Sequence, residues 1–73
     1  MAKLPVIRPK DLLKALRRAG FQVARQAGSH ARLIHPDGRA VTIAIHQAPI
    51  TKGTLRAIIR DIKLSKEEFL KLL

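Results

Sequence analysis

Gly28-Ser29-His30 is the stretch of this chain best equipped for chemistry. A glycine is the cheapest residue where the backbone turns tightly, and the histidine after it is the side chain that exchanges protons most readily near neutral pH. Two further histidines, His35 and His46, could act with it. His30 and His35 lie an odd number of positions apart, so on one strand they face opposite ways and cannot hold a metal together. His46 can reach the face of His30 if the strands pair as argued below. Lys52-Gly53-Thr54 is the second candidate, because free amides at a helix start beside a small residue make an anion seat. A lysine at the positive end of a helix is locally unfavourable and points to a ligand, although Gly53 could equally be no more than a helix-weakening residue. Proton transfer beside a bound phosphate is the chemistry these residues offer. A lone histidine in a small domain is often structural or merely solvated, and the residues by themselves leave both readings open.

The bulk composition narrows the partners. With 73 residues the chain is a single domain, 1–73, too small for a second core. Fifteen Lys and Arg against five Asp and Glu give a net charge of +10, which attracts polyanions, nucleic acid foremost. No apolar run approaches the ~20 residues that span a bilayer, and no Trp anchors a surface helix, so no membrane partner is expected. Met1-Ala2-Lys3-Leu4-Pro5 lacks the continuous apolar segment of a signal peptide, and a cytoplasmic location is expected. The absence of cysteine excludes disulfides and thiolate zinc sites. A lone histidine pair is a poor zinc site, and no carboxylates cluster near it for a two-metal centre, so neither metal nor cofactor is expected. Two Phe are the only aromatics, which argues against recognition by base stacking on exposed rings.

The elements that must position these residues follow from periodicity. Residues 1–8 show none and are expected to lead in as an extended arm. Pro9 suits a first helical turn, Asp11 favours its positive end, and Leu12, Leu13, Leu16 and Ala19 recur at helical spacing. Gly20 stops that helix, with Phe21 folding back on Leu16, while Lys10, Lys14, Arg17 and Arg18 decorate the solvent side. Residues 21–27, 30–35 and 39–45 then read as an antiparallel meander. Pro36-Asp37-Gly38 suits a type I turn closed by a left-handed residue, a three-residue hairpin loop with a bulge. That loop sets Leu33 across from Val41 and Ala31 from Ile43, all on one face. His30, Arg32, Thr42, Ala44 and His46 then share the other, with His46 diagonal to His30 at roughly 7 to 8 Å. The register of the first strand stays ambiguous, since Val23 and Arg25 have the same parity. Thr51 caps a second helix with Leu55, Ile58, Ile59 and Ile62 as its apolar stripe and Lys52, Arg56 and Arg60 outward. Ser65-Lys66-Glu67-Glu68 is a capping box for a short last helix, stapled by Leu64 and Phe69. The expected fold is α+β, a small three-stranded antiparallel sheet with helices on one face, in the order α-β-β-β-α(-α).

In this arrangement the chain resembles the HicA toxins of bacterial toxin–antitoxin systems, small messenger-RNA interferases with a double-stranded-RNA-binding-domain-like fold. The resemblance rests on the first helix ending at Gly20-Phe21, on Gly28-Ser29-His30, on His35-Pro36 leading into Val41-Thr42-Ile43, and on His46. It continues through Lys52-Gly53-Thr54-Leu55-Arg56 and the 65–69 segment. It implies that His30, the histidine of the Gly-Ser-His motif, is catalytic, and that a HicB-type antitoxin binds the toxin and blocks it. The free protein is expected to be a monomer. Two departures stand out: Arg8 precedes Pro9 where a Ser-like cap would be usual, weakening the helix start, and Ala44 replaces a frequent proline.

Cleavage of mRNA without a metal needs a base for the 2′-hydroxyl, positive charge around the phosphate and a proton for the departing 5′-oxygen. His30 is assigned the proton-transfer role of such an endoribonuclease, and His46 is a second candidate proton carrier. Gly28, Ser29, Arg32, Lys52, Gly53 and Thr54 are the candidate RNA-binding residues, Arg32 and Lys52 supplying charge and the adjoining amides hydrogen bonds. Cleaved messages would inhibit translation and growth. A non-catalytic RNA-binding module of the same fold, reading A-form shape with an incidental histidine, is the alternative. An interaction protein whose exposed face receives an acidic partner is a third.

Overall fold

The apolar residues of the middle third alternate, and those of the two flanking thirds recur every three or four positions, which is the pattern of helices packed on one side of a sheet. The computed structural model describes residues 3–73. Its elements are α1 (Pro9–Arg18), β1 (Gln22–Ala27), β2 (His30–Ile34), β3 (Ala40–Ala44), α2 (Lys52–Asp61) and α3 (Lys66–Leu70). The strands form an antiparallel sheet in the order β1-β2-β3. Leu33 pairs with Val41 and Ala31 with Ile43, the register expected from the hairpin loop. These four side chains are buried against Leu12, Leu16, Leu55, Ile59 and Ile62 of the helical layer. His30, Arg32, Ile34, Thr42 and Ala44 are exposed on the other face.

Turn chemistry holds the meander in register. The Gly38 amide donates to His35 O at 2.9 Å and the His35 amide to Arg39 O at 2.8 Å, while Gly38 takes φ +101°, closing a type I turn with a glycine bulge. Asp37 accepts from the Arg39 backbone N–H at 3.0 Å and from its Nε at 2.7 Å. The backbone donor, foremost, holds the Asp37 carboxyl below its ordinary range. The first strand resolves its ambiguity with a β-bulge between Val23 and Arg25. Val23 pairs with Leu33 toward the core, yet Arg25 pairs with Arg32 on the open face. Two residues of equal parity thus reach opposite faces, which a regular strand forbids.

Helix ends follow the sequence with two exceptions. After α1, the Phe21 amide bonds Leu16 O at 2.9 Å and the Gly20 amide bonds Arg17 O at 3.0 Å, with Gly20 at φ +99°. This is the two-bond cap in which Phe21 covers Leu16, and both side chains are buried. At α3, Ser65 Oγ accepts from the Glu68 amide at 3.1 Å while Glu68 Oε1 accepts from the Ser65 amide at 2.9 Å. That backbone donor lowers the Glu68 pKa. At α1 the guanidinium of Arg8 cannot accept a bond, so only half a capping box forms, with Asp11 Oδ2 accepting from the Arg8 amide at 3.2 Å. Arg8 instead donates to Gln47 O, tying the helix start to the segment after β3.

The expected arm is more than a lead-in. Met1 and Ala2 lie outside the described residues, but Leu4 and Ile7 are buried in the core, and Ile7 O accepts the Ile50 amide at 2.8 Å. An aperiodic segment hid this because only two of its residues turn inward. The second exception is Lys63, at φ +58° past α2. Its amide bonds Arg60 O at 3.1 Å and the Leu64 amide bonds Ile59 O at 3.3 Å, the same cap as at Gly20 without the glycine. A left-handed conformation costs an L-residue about 1–2 kcal/mol. Lys63→Gly is therefore expected to stabilise the fold by about 1 kcal/mol, raising Tm by ~4–8 °C in thermal unfolding. An unchanged or lower Tm would show that the lysine carries no strain there.

Candidate functional site

Gly28 and Ser29 are the two central residues of the β1–β2 turn, flanked by the pair Ala27 and His30. Gly28 takes φ +58° and Ser29 a negative φ, the pattern of a type II′ turn, whose first central position favours glycine. Ser29 O accepts the Ile45 amide, so the turn is also tied to the exit of β3. His30 is delivered to the first position of β2 between Ala27 on β1 and Ala44 on β3. Two methyl-sized neighbours leave the imidazole standing clear of the sheet, and it is exposed.

Beside it runs a groove of about 390 Å³ between the β3 side of the sheet and the start of α2. His30, Thr42 and Ala44 form one wall, Thr51, Thr54 and Ala57 the other, and His46, Pro49 and Ile50 close the end. Thr51 Oγ1 accepts the Thr54 amide at 3.3 Å and lies 2.9 Å from the Thr54 hydroxyl. This cap leaves two hydroxyl groups on the wall facing the histidines. Arg32 reaches across the sheet to Thr42 Oγ1 at 3.1 Å, setting its guanidinium at the rim. No Asp or Glu lines the groove. Among the described residues no group of three His, Cys, Asp or Glu side chains could hold a metal ion.

Of the candidate residues, then, His30, His46 and Thr54 meet in one groove, with Arg32 touching its wall. Gly28 and Ser29 shape the turn that places His30. Lys52 and Gly53 occupy the first turn of α2 but are not among the residues lining the groove. Sequence reasoning found Thr54 but missed the Thr51 hydroxyl beside it on the same wall, having treated Thr51 as a cap alone. It also missed that His46 lines a second groove of about 550 Å³ with Arg8, Lys10, Leu13, Ile45 and Gln47. Lys10 comes from a helix face read as simple solvation and Arg8 from a position read only as a poor helix cap, and no local pattern ties either to a histidine far along the chain.

His35 has a different place. It is half-buried, its ring edge-on to Phe21 with centroids 5.1 Å apart and an interplanar angle of 63°. Its Nδ1 accepts the Asp37 amide at 3.1 Å. A Cβ added to Gly20 would come within 2.8 Å of its Nε2. His35 locks the β2–β3 hairpin onto the end of α1, on the inner side of the sheet away from His30.

The family model described as the HicA toxin of bacterial toxin–antitoxin systems matches residues 9–64, from the first residue of α1 to just past α2. No curated protein matches the chain closely enough for comparison.

Proposed function

The chain belongs to the HicA toxin family, and from that premise we propose that it is a metal-independent endoribonuclease that cleaves mRNA with His30 as its proton-transfer residue. Membership carries the coarser statement, a toxin with an RNA target and an antitoxin partner. The observation that supports the finer one is the exposed His30 imidazole at a carboxylate-free groove that also holds His46.

In this reading an imidazole nitrogen of His30 removes the 2′-hydroxyl proton as the 2′-oxygen attacks the neighbouring phosphorus. The bond to the 5′-oxygen breaks, and that oxygen leaves with a proton supplied by His46. The Thr51 and Thr54 hydroxyls hold the phosphate oxygens, while the Arg32 guanidinium at the rim and Lys52 in the first turn of α2 add positive charge around them. Gly28 and Ser29 hold the histidine in place, and the Gly53 and Thr54 backbone stays free of bulk where RNA passes. A HicB-type antitoxin neutralises the toxin by covering His30. Cleavage of messages in the cytoplasm then stops translation and growth. No helix of the described residues is long and apolar enough to cross a membrane.

The test is product analysis with purified protein and RNA in excess chelator. Fragments ending in 2′,3′-cyclic phosphate and 5′-hydroxyl groups are expected, at a rate indifferent to the chelator. RNA that stays intact across a pH series, although bound, would make this a non-catalytic RNA-binding module instead.

A further inference from the structure

The β-bulge in β1 has a consequence for the open face of the sheet. In a regular strand Arg25 would share the core-directed face of Val23, but the extra residue turns it outward, directly across from Arg32. Both side chains are exposed, and among the described residues neither makes an ion pair. Like charges set opposite each other on neighbouring strands are destabilising. All five acidic residues lie elsewhere, in the helices or the hairpin loop. Rows across this face read Ala27–His30–Ala44, then Arg25–Arg32–Thr42. Arg32 is held in place by its bond to Thr42 Oγ1. Bulges re-aim side chains beside functional sites, and this one gathers cations next to the imidazole.

We propose that Arg25 and Arg32 together form a phosphate clamp on the open sheet face, which holds the backbone of the RNA strand adjoining the bond presented to His30. The identity of the polyanion rests on the nuclease reading; the clamp itself rests on charge and register. Arg32 follows His30 by two positions on β2, roughly 7 Å along the strand, which places the pair beside the scissile phosphate and not upon it. The groove toward α2 takes one side of that phosphate and the arginine pair takes the continuing strand. An acidic protein surface is the competing occupant, since guanidinium forks suit carboxylates and phosphates alike, but the row next to His30 is where a strand presented to that imidazole must continue.

The test is the salt dependence of binding to a fluorescent oligouridylate, measured on the His30→Ala protein so that the RNA stays intact. Each lost phosphate contact should make the slope of log K against log salt shallower by about 0.7, so Arg25→Gln is expected to show one such step and Arg25→Gln/Arg32→Gln two. Arg17→Gln, on the exposed side of α1 across the sheet, is expected to leave the slope unchanged. Circular dichroism checks that each variant is folded. The proposal is overturned if the arginine variants keep the parent slope, if Arg17→Gln lowers it equally, or if the parent does not bind the oligouridylate. It is also overturned if the double variant loses a purified antitoxin while its RNA binding is unchanged. Failure of the cleavage assay with the slope steps intact would remove the nuclease and leave the clamp. Cleavage intact with no steps would do the reverse.

Discussion

His30→Ala is expected to slow RNA cleavage by about 10²–10⁴-fold, the typical worth of one positioned proton-transfer group, while leaving the fold as stable as before. The two halves of this expectation come from the same geometry. The imidazole stands exposed between Ala27 and Ala44, so its removal opens no cavity and orphans no buried partner. Surface changes of that kind usually stay within ~0.5 kcal/mol. Activity and stability should therefore separate cleanly, as read by initial cleavage rates and by thermal unfolding of the same sample. A variant that remains folded and cleaves at the parental rate would remove His30 from the chemistry. Growth inhibition on expression should be lost together with cleavage if His30 carries the proton transfer proposed for it.

Phe21→Ala carries the largest expected effect on stability, about 3–5 kcal/mol. A domain of this length has a total stability on the order of 4–11 kcal/mol, so the loss takes a large part of it. Phe21 is 1% exposed and joins three parts of the molecule. It covers Leu16 in the cap that ends α1, meets the His35 ring in a T-shaped contact, and has the Arg39 guanidinium 5.2 Å from its ring centre. Arg39 in turn bonds Asp37 Oδ2 at 2.7 Å and donates to Ile62 O at the end of α2. Removing the ring empties the corner where α1, the β2–β3 hairpin and α2 meet. A fall in Tm of well over ~10 °C is expected, since each kcal/mol shifts a domain of this size by ~4–8 °C. A fall of only a few degrees would mean that the corner collapses around the gap. His30 lies on the far side of the sheet, so any protein that stays folded should retain its cleavage chemistry.

Much of this molecule is legible along the chain, because the interactions responsible are local. Pro36-Asp37-Gly38 specifies a loop geometry, the loop sets the register, and the register decides that Leu33 and Val41 go inward while Arg32 and Thr42 go outward. Gly20-Phe21 after Leu16 and the capping box at Ser65 are equally self-contained, each satisfied within a few residues. The placement of His30 belongs to the same class, since a two-residue turn and strand alternation suffice to set it on the open face.

The remainder depended on contacts between distant segments. Arg8 at the start of α1 has no local acceptor to offer, and its partner is the Gln47 carbonyl beyond β3. Lys63 adopts a left-handed conformation that no glycine announces, because burial of Ile62 and Phe69 on either side outweighs its backbone preference. Val23 and Arg25 have equal parity, and only the demand of the core for Val23 explains the bulge that sends Arg25 outward. The sequence by itself thus determined the elements, their pairing and the side of the sheet on which His30 stands. Tertiary structure alone brought Arg25 and the Thr51 and Thr54 hydroxyls to it, because side chains from β1 and α2 become its neighbours only after the apolar faces have met.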